Sequence, residues 1–343
     1  MSNKKKQKNS YHNQNNKGCF MNAKENALRI IHFDHPERVM SGPPAYQLCY
    51  HGCNHESFDN DAGDGSPLGS RWVDVWGTEW HKIHEGVMGL PTGNPLSEVE
   101  NLKHYQWPDP DDERIYGKIY QMAESLHGGD LFLAGSHRDT LWEKAYMLVG
   151  MENVTMYFFT EPEFTREVLH RIMDFQLGIA KHYIKLGIEI ANLGDDLGTQ
   201  IGSLLGPEVV NEYLIPEYKR LFDFYKERNV LIGFHSCGNI ESALETFMFL
   251  GVDILNPVQA TANDLNKVRA ITKGRMTLQG GVNSATIMDG PVEKIVKEVR
   301  ERMYQLGQDG GYFCSPDQGM PFPKEHIDAV YRAVEEYGHY PLS

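Results

Sequence analysis

The sequence predicts an α/β fold in which a parallel sheet is joined by helical crossovers. Three observations predict it. Short apolar runs alternate with amphipathic stretches from residue 130 to the end. Unusual polar residues gather directly after those runs, as they do where the loops of a parallel barrel converge on one face. The length, 343 residues, is one that α/β barrels routinely fill as a single unit.

The elements follow in order. Residues 1–20 are polar and basic, with no apolar segment of the secretory kind, and are expected to form a disordered extension. Residues 21–343 are expected to form one domain. Residues 22–31 are amphipathic, with Asn22 as N-cap and Glu25 three positions on, a capping-box spacing. Residues 45–50 predict a strand. Residues 54–70, rich in Gly, Asp and Asn, predict a long irregular loop. WVDVWGTEW at 72–80 is aromatic and β-prone. Pro108, Pro110 and the acidic run 109–113 predict a turn into a helix. Further strands are expected at 131–134, 188–193, 230–234, 253–255, 276–278 and 311–314. Helices are expected at about 141–148, 162–185, 207–228, 240–250, 264–271, 292–306 and 324–337. That makes seven strands. A closed barrel needs eight, and the missing one is sought in 70–80.

Composition narrows the function classes. Acidic residues outnumber basic ones 47 to 33, a formal charge of −14, which argues against nucleic acid or an anionic membrane as the main partner. No apolar run approaches the roughly 18 residues of a membrane helix. The five cysteines, Cys19, Cys49, Cys53, Cys237 and Cys314, are odd in number and sparse, which reads as reduced thiols in a cytoplasmic protein. A cysteine doing chemistry is then a metal ligand or a nucleophile.

His235 and Cys237 lie two apart at a strand end. Side chains at i and i+2 of a strand share a face, so imidazole and thiolate can meet one cation, and zinc suits that donor pair. Chance placement alone yields on the order of 0.2 such triplets in this composition. The alternative is a buried cysteine beside a hydrogen-bonded histidine. Cys314 ends another strand. Asp195 and Asp196 follow a third; on extended chain only one of them faces the pocket, to orient substrate, move a proton or bind the metal. Their alternative is a turn or cap beside Gly194 and Gly198. Asn256, Gln259 and Gln318 follow strands and are candidate substrate contacts. Trp76 and Trp80 are candidate pocket walls, or core. CYHGCNH at 49–55 lacks a second cysteine pair and reads as pocket lining rather than a zinc site.

The chain resembles the uroporphyrinogen decarboxylase-like superfamily from about Met21 onward. The resemblance rests on WVDVWGTEW (72–80), WPDPDDE (107–113), LWEKAYMLVGMENV (141–154), GDDLGTQ (194–200), SLLGPEVVNEYLIPEYKRL (203–221), HSCGN (235–239), GVDILNPVQ (251–259) and GGYFCSPDQG (310–319). It implies a (β/α)8 TIM barrel with an N-terminal helical and irregular extension. One branch of the superfamily contains decarboxylases with an Arg-rich segment near the N-terminus; here the corresponding segment is PPAYQLCYHGC. The other branch contains zinc-dependent methyltransferases that act on corrinoid proteins, and it is the closer one. It implies zinc on His235, Cys237 and a distant cysteine, for which Cys314 is the remaining downstream residue; Gln318 lies a few positions later, and Asp195, Asp196 and Asp317 are alternatives. It further implies a corrinoid carried by a partner protein and a small methylated substrate. Two other functions stay open: decarboxylation of a carboxylated tetrapyrrole, and non-catalytic corrinoid or tetrapyrrole binding.

Overall fold

The structure, a computed structural model, describes residues 21–126 and 128–343. The extension expected over 1–20, with Cys19, lies outside the described residues. Seven parallel strands form one curled sheet: β1 (Ala45–Leu48), β2 (Phe132–His137), β3 (Ile190–Gly194), β4 (Leu231–His235), β5 (Ile254–Val258), β6 (Thr277–Val282) and β7 (Tyr312–Pro316). Each pairs with its neighbour in sequence, so every crossover moves one step in the same direction. The fold is α/β and TIM-barrel-like. An eighth strand is not found among the described residues: a single parallel bridge, Met40–Phe313, stands beside the free edge of β7.

Residues 71–81 do not supply that strand. Arg71–Val73, Glu79–His81 and Leu90–Gly93 form a separate three-stranded antiparallel sheet. The reason is local. The Asp74 carboxylate accepts from the backbone N–H of Trp76 and Thr78, and Gly77 takes a positive φ of 79°, so the chain reverses after Val73.

The expected strand ends were set too early. Strands β2 to β7 run one to four residues past them, because Gly, Ser, Asn, Gln and His, residues common in loops, continue the strands. Helices at Met151–Thr160 and Ser284–Asp289 were not foreseen; Pro162–Lys185 and Lys324–Tyr337 form as expected. The helix Ala23–His32 opens on Asn22, whose side chain accepts from the Glu25 N–H at 2.8 Å. Its Ala27, Ile30 and Ile31 pack on Phe132, Ala134, Ile190, Ile254 and Phe313 and cover one end of the curled sheet. The other end, where the strand C-termini point, is left uncovered by this helix.

Candidate active site

Backbone packing brings two loops together at that end. The Asp195 N–H donates to the His235 carbonyl at 3.0 Å, and the Asn239 N–H to the Thr199 carbonyl at 2.7 Å. A Cβ on Gly198 would stand 2.6 Å from the Cys237 carbonyl oxygen, and one on Gly238, whose φ is 85°, 2.5 Å from the Gly198 backbone. Glycine at both positions lets the loops touch. The Gln259 amide oxygen accepts from the Gly238 N–H at 2.6 Å and holds the turn.

This contact puts three potential ligands in one place. The donor atoms of Asp196, His235 and Cys237 lie within 4.8 Å of one another. His235 Nε2 is 3.2 Å from Cys237 Sγ and 3.5 Å from Asp196 Oδ1. The Cys237 N–H donates to Asp196 Oδ1 at 2.8 Å, fixing that carboxylate. Asn256 Oδ1 lies 3.0 Å from His235 Nδ1 and orients the ring. The Gln318 amide donates to Cys237 Sγ at 3.0 Å. His235 and Asp196 are about half exposed, at 45% and 41% of their side chains, so the cluster is open to solvent. One nitrogen, one sulfur and one carboxylate oxygen fit a divalent, zinc-like cation. Burial pushes the Cys237 thiol up to about 12; the negative charges of Asp196 and Glu143 add to it, and Gln318 opposes it.

Cys314, expected as the third ligand, is not in this cluster. It is buried, and its Sγ lies 3.9 Å from the Val299 carbonyl on the helix Val292–Gly307. Alternation on β7 turns residue 314 outward and residues 313 and 315 inward. Burial raises its thiol to about 12. Asp317 is likewise occupied, accepting from the N–H and hydroxyl of Ser284 at 2.9 and 2.6 Å.

Asp195, expected beside Asp196 in a catalytic role, is turned into the protein. It accepts from the N–H groups of Leu141 and Glu143 and from the Tyr218 hydroxyl at 2.9, 2.7 and 2.6 Å. It therefore caps the helix Trp142–Val149 from another element. Burial pushes its carboxyl up to about 7 against these three bonds. Gln259 is a loop brace rather than a free substrate contact. Trp76 and Trp80 are core, each 1% exposed: Trp80 stacks on His55 with centroids 4.0 Å apart, and Trp76 packs edge-on against Phe175. The segment around His55 is locked into the protein. His55 is buried between Asp64 at 3.0 Å and Asp139 at 2.6 Å.

Sequence reading missed Glu143. It sits in the first turn of its helix, where an acidic residue is ordinary. Only the fold surrounds it with carboxylates: burial, then Asp139, Asp195 and Asp196, push its carboxyl up to about 9, while the Tyr146 hydroxyl donates to it at 2.9 Å. These surroundings favour its protonated form.

Residues 86–337 match the uroporphyrinogen decarboxylase (URO-D) family, and the chain belongs to it. Among its relatives is a methylated-thiol–coenzyme M methyltransferase of Methanosarcina mazei, 24% identical over 198 residues, which cover 55% of this chain and 49% of the relative. The match thus spans about half the length of that protein. A uroporphyrinogen decarboxylase of Acinetobacter baumannii is 22% identical over 294 residues, 80% of this chain and 76% of the relative. A solved methyltransferase from Methanosarcina mazei superposes with a TM-score of 0.69 at 18% identity, covering 92% of this chain and 98% of its own. That likeness shows the fold. No helix among the described residues is long and apolar enough to cross a membrane.

Proposed function

We propose that this protein is a zinc-dependent methyltransferase that moves a methyl group between a small methylated molecule and a corrinoid carried by a separate protein. The observation that supports it most is the meeting of Asp196, His235 and Cys237 at the open end of the barrel. Asp196 takes the place expected for Cys314. The Asp196 carboxylate disfavours ionisation of the Cys237 thiol in the metal-free protein, and a divalent cation between them offsets that repulsion when the thiolate forms. Held there, zinc would supply a Lewis acid that stabilises the negative charge left on an atom giving up a methyl group, or the anionic form of a thiol about to receive one.

The chain's own residues do the rest. Asn256 holds the His235 ring so that Nε2 points at the cluster. Gln318 places an N–H on Cys237 Sγ and restrains it. Glu143 keeps a proton near the site and is the candidate donor to a leaving oxygen or sulfur. The barrel mouth gives the corrinoid partner its approach. The chain's place in the family keeps decarboxylation as the competing reading.

Metal analysis and an activity assay separate the two. One zinc per chain is expected, lost in Cys237→Ala and in Asp196→Ala, together with methyl transfer followed through the absorbance of free cob(I)alamin. Because Cys237 is a neutral thiol when metal-free, zinc uptake releases its proton, and apparent zinc affinity rises with pH from 6 to 8. Zinc-free protein that decarboxylates uroporphyrinogen would replace this reading with the other.

A further inference from the structure

Two chambers meet at His235. One, of about 320 Å³, runs down the barrel interior beneath it. The other, of about 400 Å³, opens toward the mouth beside Gln318. They share His235, Asn256 and Gln279 as a common wall. Among the described residues lining either chamber there is no Lys, Arg, Asp or Glu.

The polar groups of the inner chamber are amides. Gln47 on β1, Asn192 on β3, Asn256 on β5 and Gln279 on β6 stand on the inward faces of their strands, with Asn256 in register with His235 and Asn192 in register with Gly233. Asn192 Nδ2 donates to Gln47 Oε1 at 2.6 Å, which fixes both amides and leaves the Asn192 carbonyl free to accept. A Cβ on residue 233 would stand 2.6 Å from that oxygen, so Gly233 keeps the space in front of it. Gln279 makes no side-chain hydrogen bond to another described residue and presents both a donor and an acceptor.

From this lining we infer that the inner chamber binds an uncharged, hydrogen-bonding small molecule, and that substrates carrying a carboxylate, sulfonate or ammonium group are selected against. Away from His235 and a metal held by it, an ion entering the chamber loses water and meets no counter-charge. A neutral amide, ether or alcohol exchanges its water hydrogen bonds for ones from the free Gln279 amide and the Asn192 carbonyl. The inference rests on the reading that His235 is the reacting end of the site. It names the class of methylated substrate: neutral, polar and small enough for about 320 Å³.

Binding to the zinc-loaded protein, without corrinoid and without turnover, tests it. The probes are methoxyacetamide, methoxyacetate and 2-methoxyethylammonium, which share one methoxy group and differ in charge. Calorimetry or ligand-observed NMR is expected to rank methoxyacetamide at least tenfold tighter than either ion. Gln279→Leu is expected to weaken methoxyacetamide about tenfold. The carboxylate can also reach the proposed metal, so the comparison is set against the inference. A carboxylate or ammonium probe that binds as tightly as the amide overturns it, as does a panel of which no member binds. Amide preference in a protein that transfers no methyl group supports the chamber and removes the transfer reading. Methyl transfer from methoxyacetate in preference to methoxyacetamide does the reverse.

Discussion

His55 and His235 both stand beside carboxylates, yet they live in opposite surroundings. His55 is fully buried, and both ring nitrogens are spent, on Asp64 and Asp139. Around it Trp80 stacks, Arg138 reaches Asp64 at 2.5 Å, and the Trp72 indole donates to the His55 carbonyl at 2.7 Å. Burial alone would lower its pKa, but Asp139 and then Asp64 overrule it and raise it. His235 is half exposed and keeps Nε2 directed at a thiol and a carboxylate. The first cluster is electrically complete and ties the irregular segment 49–64 to the loop after β2. The second is incomplete, holding two groups that share no cation. A saturated cluster stabilises; an unsaturated one at a barrel mouth is where a ligand can act.

The largest effect should come from breaking the incomplete cluster. His235→Ala or Cys237→Ala is expected to remove zinc, measured by mass spectrometry, and to cut methyl transfer on the order of 10³-fold. Thermal unfolding of the metal-free protein should hardly move. An equally large fall in its melting temperature would erase the contrast between the clusters.

His55→Ala should do the opposite. It strands Asp139 and Asp64 without their shared partner and is expected to destabilise by ~3–5 kcal/mol in urea titrations. Zinc content of the protein that remains folded should be unchanged.

Glu143 sharpens the comparison through pH. Its folded-state carboxyl, at about 9, lies above the ordinary carboxylate value, so folding binds a proton between the two. The associated stability is present in acid and is lost as pH rises through about 9. Relative to Glu143→Gln, the metal-free wild type should lose stability from pH 5 to 9, with a slope no steeper than ~1.4 kcal/mol per pH unit. Denaturant midpoints at three pH values check this. An unchanged difference would show that Glu143 is not held protonated.

The smallest effect belongs to Cys314. Cys314→Ala should cost ~1 kcal/mol of stability and leave zinc stoichiometry intact. Loss of zinc would return Cys314 to the metal site and displace Asp196.

These residues show how far sequence reading reaches. His235 and Cys237 were legible because strand alternation is local: two positions apart on extended chain means one face. The same rule, applied with the strand end in the right place, turns Cys314 outward, away from the site. Asp195 and Asp196 could not be sorted from sequence, since which of the pair faces the mouth depends on the capping of a helix more than fifty residues earlier. Trp76 and Trp80 were ambiguous for the same kind of reason. An aromatic run is apolar whether it lines a pocket or fills a core, and only the position of His55 and Phe175 decides. Glu143 left no signal at all.

The sequence by itself determined the alternation of strands and helices, their parallel order and the set of polar residues after each strand, because these follow from periodicity and short-range sterics. Tertiary structure alone decided which of those residues meet. It brought Asp196 to His235 and Cys237 through two glycines in backbone contact, withdrew Asp195, Gln259 and Cys314 into supporting roles, and lined the barrel interior with amides. Such encounters depend on distances across the sheet, and a one-residue shift in strand register exchanges the inward and outward faces.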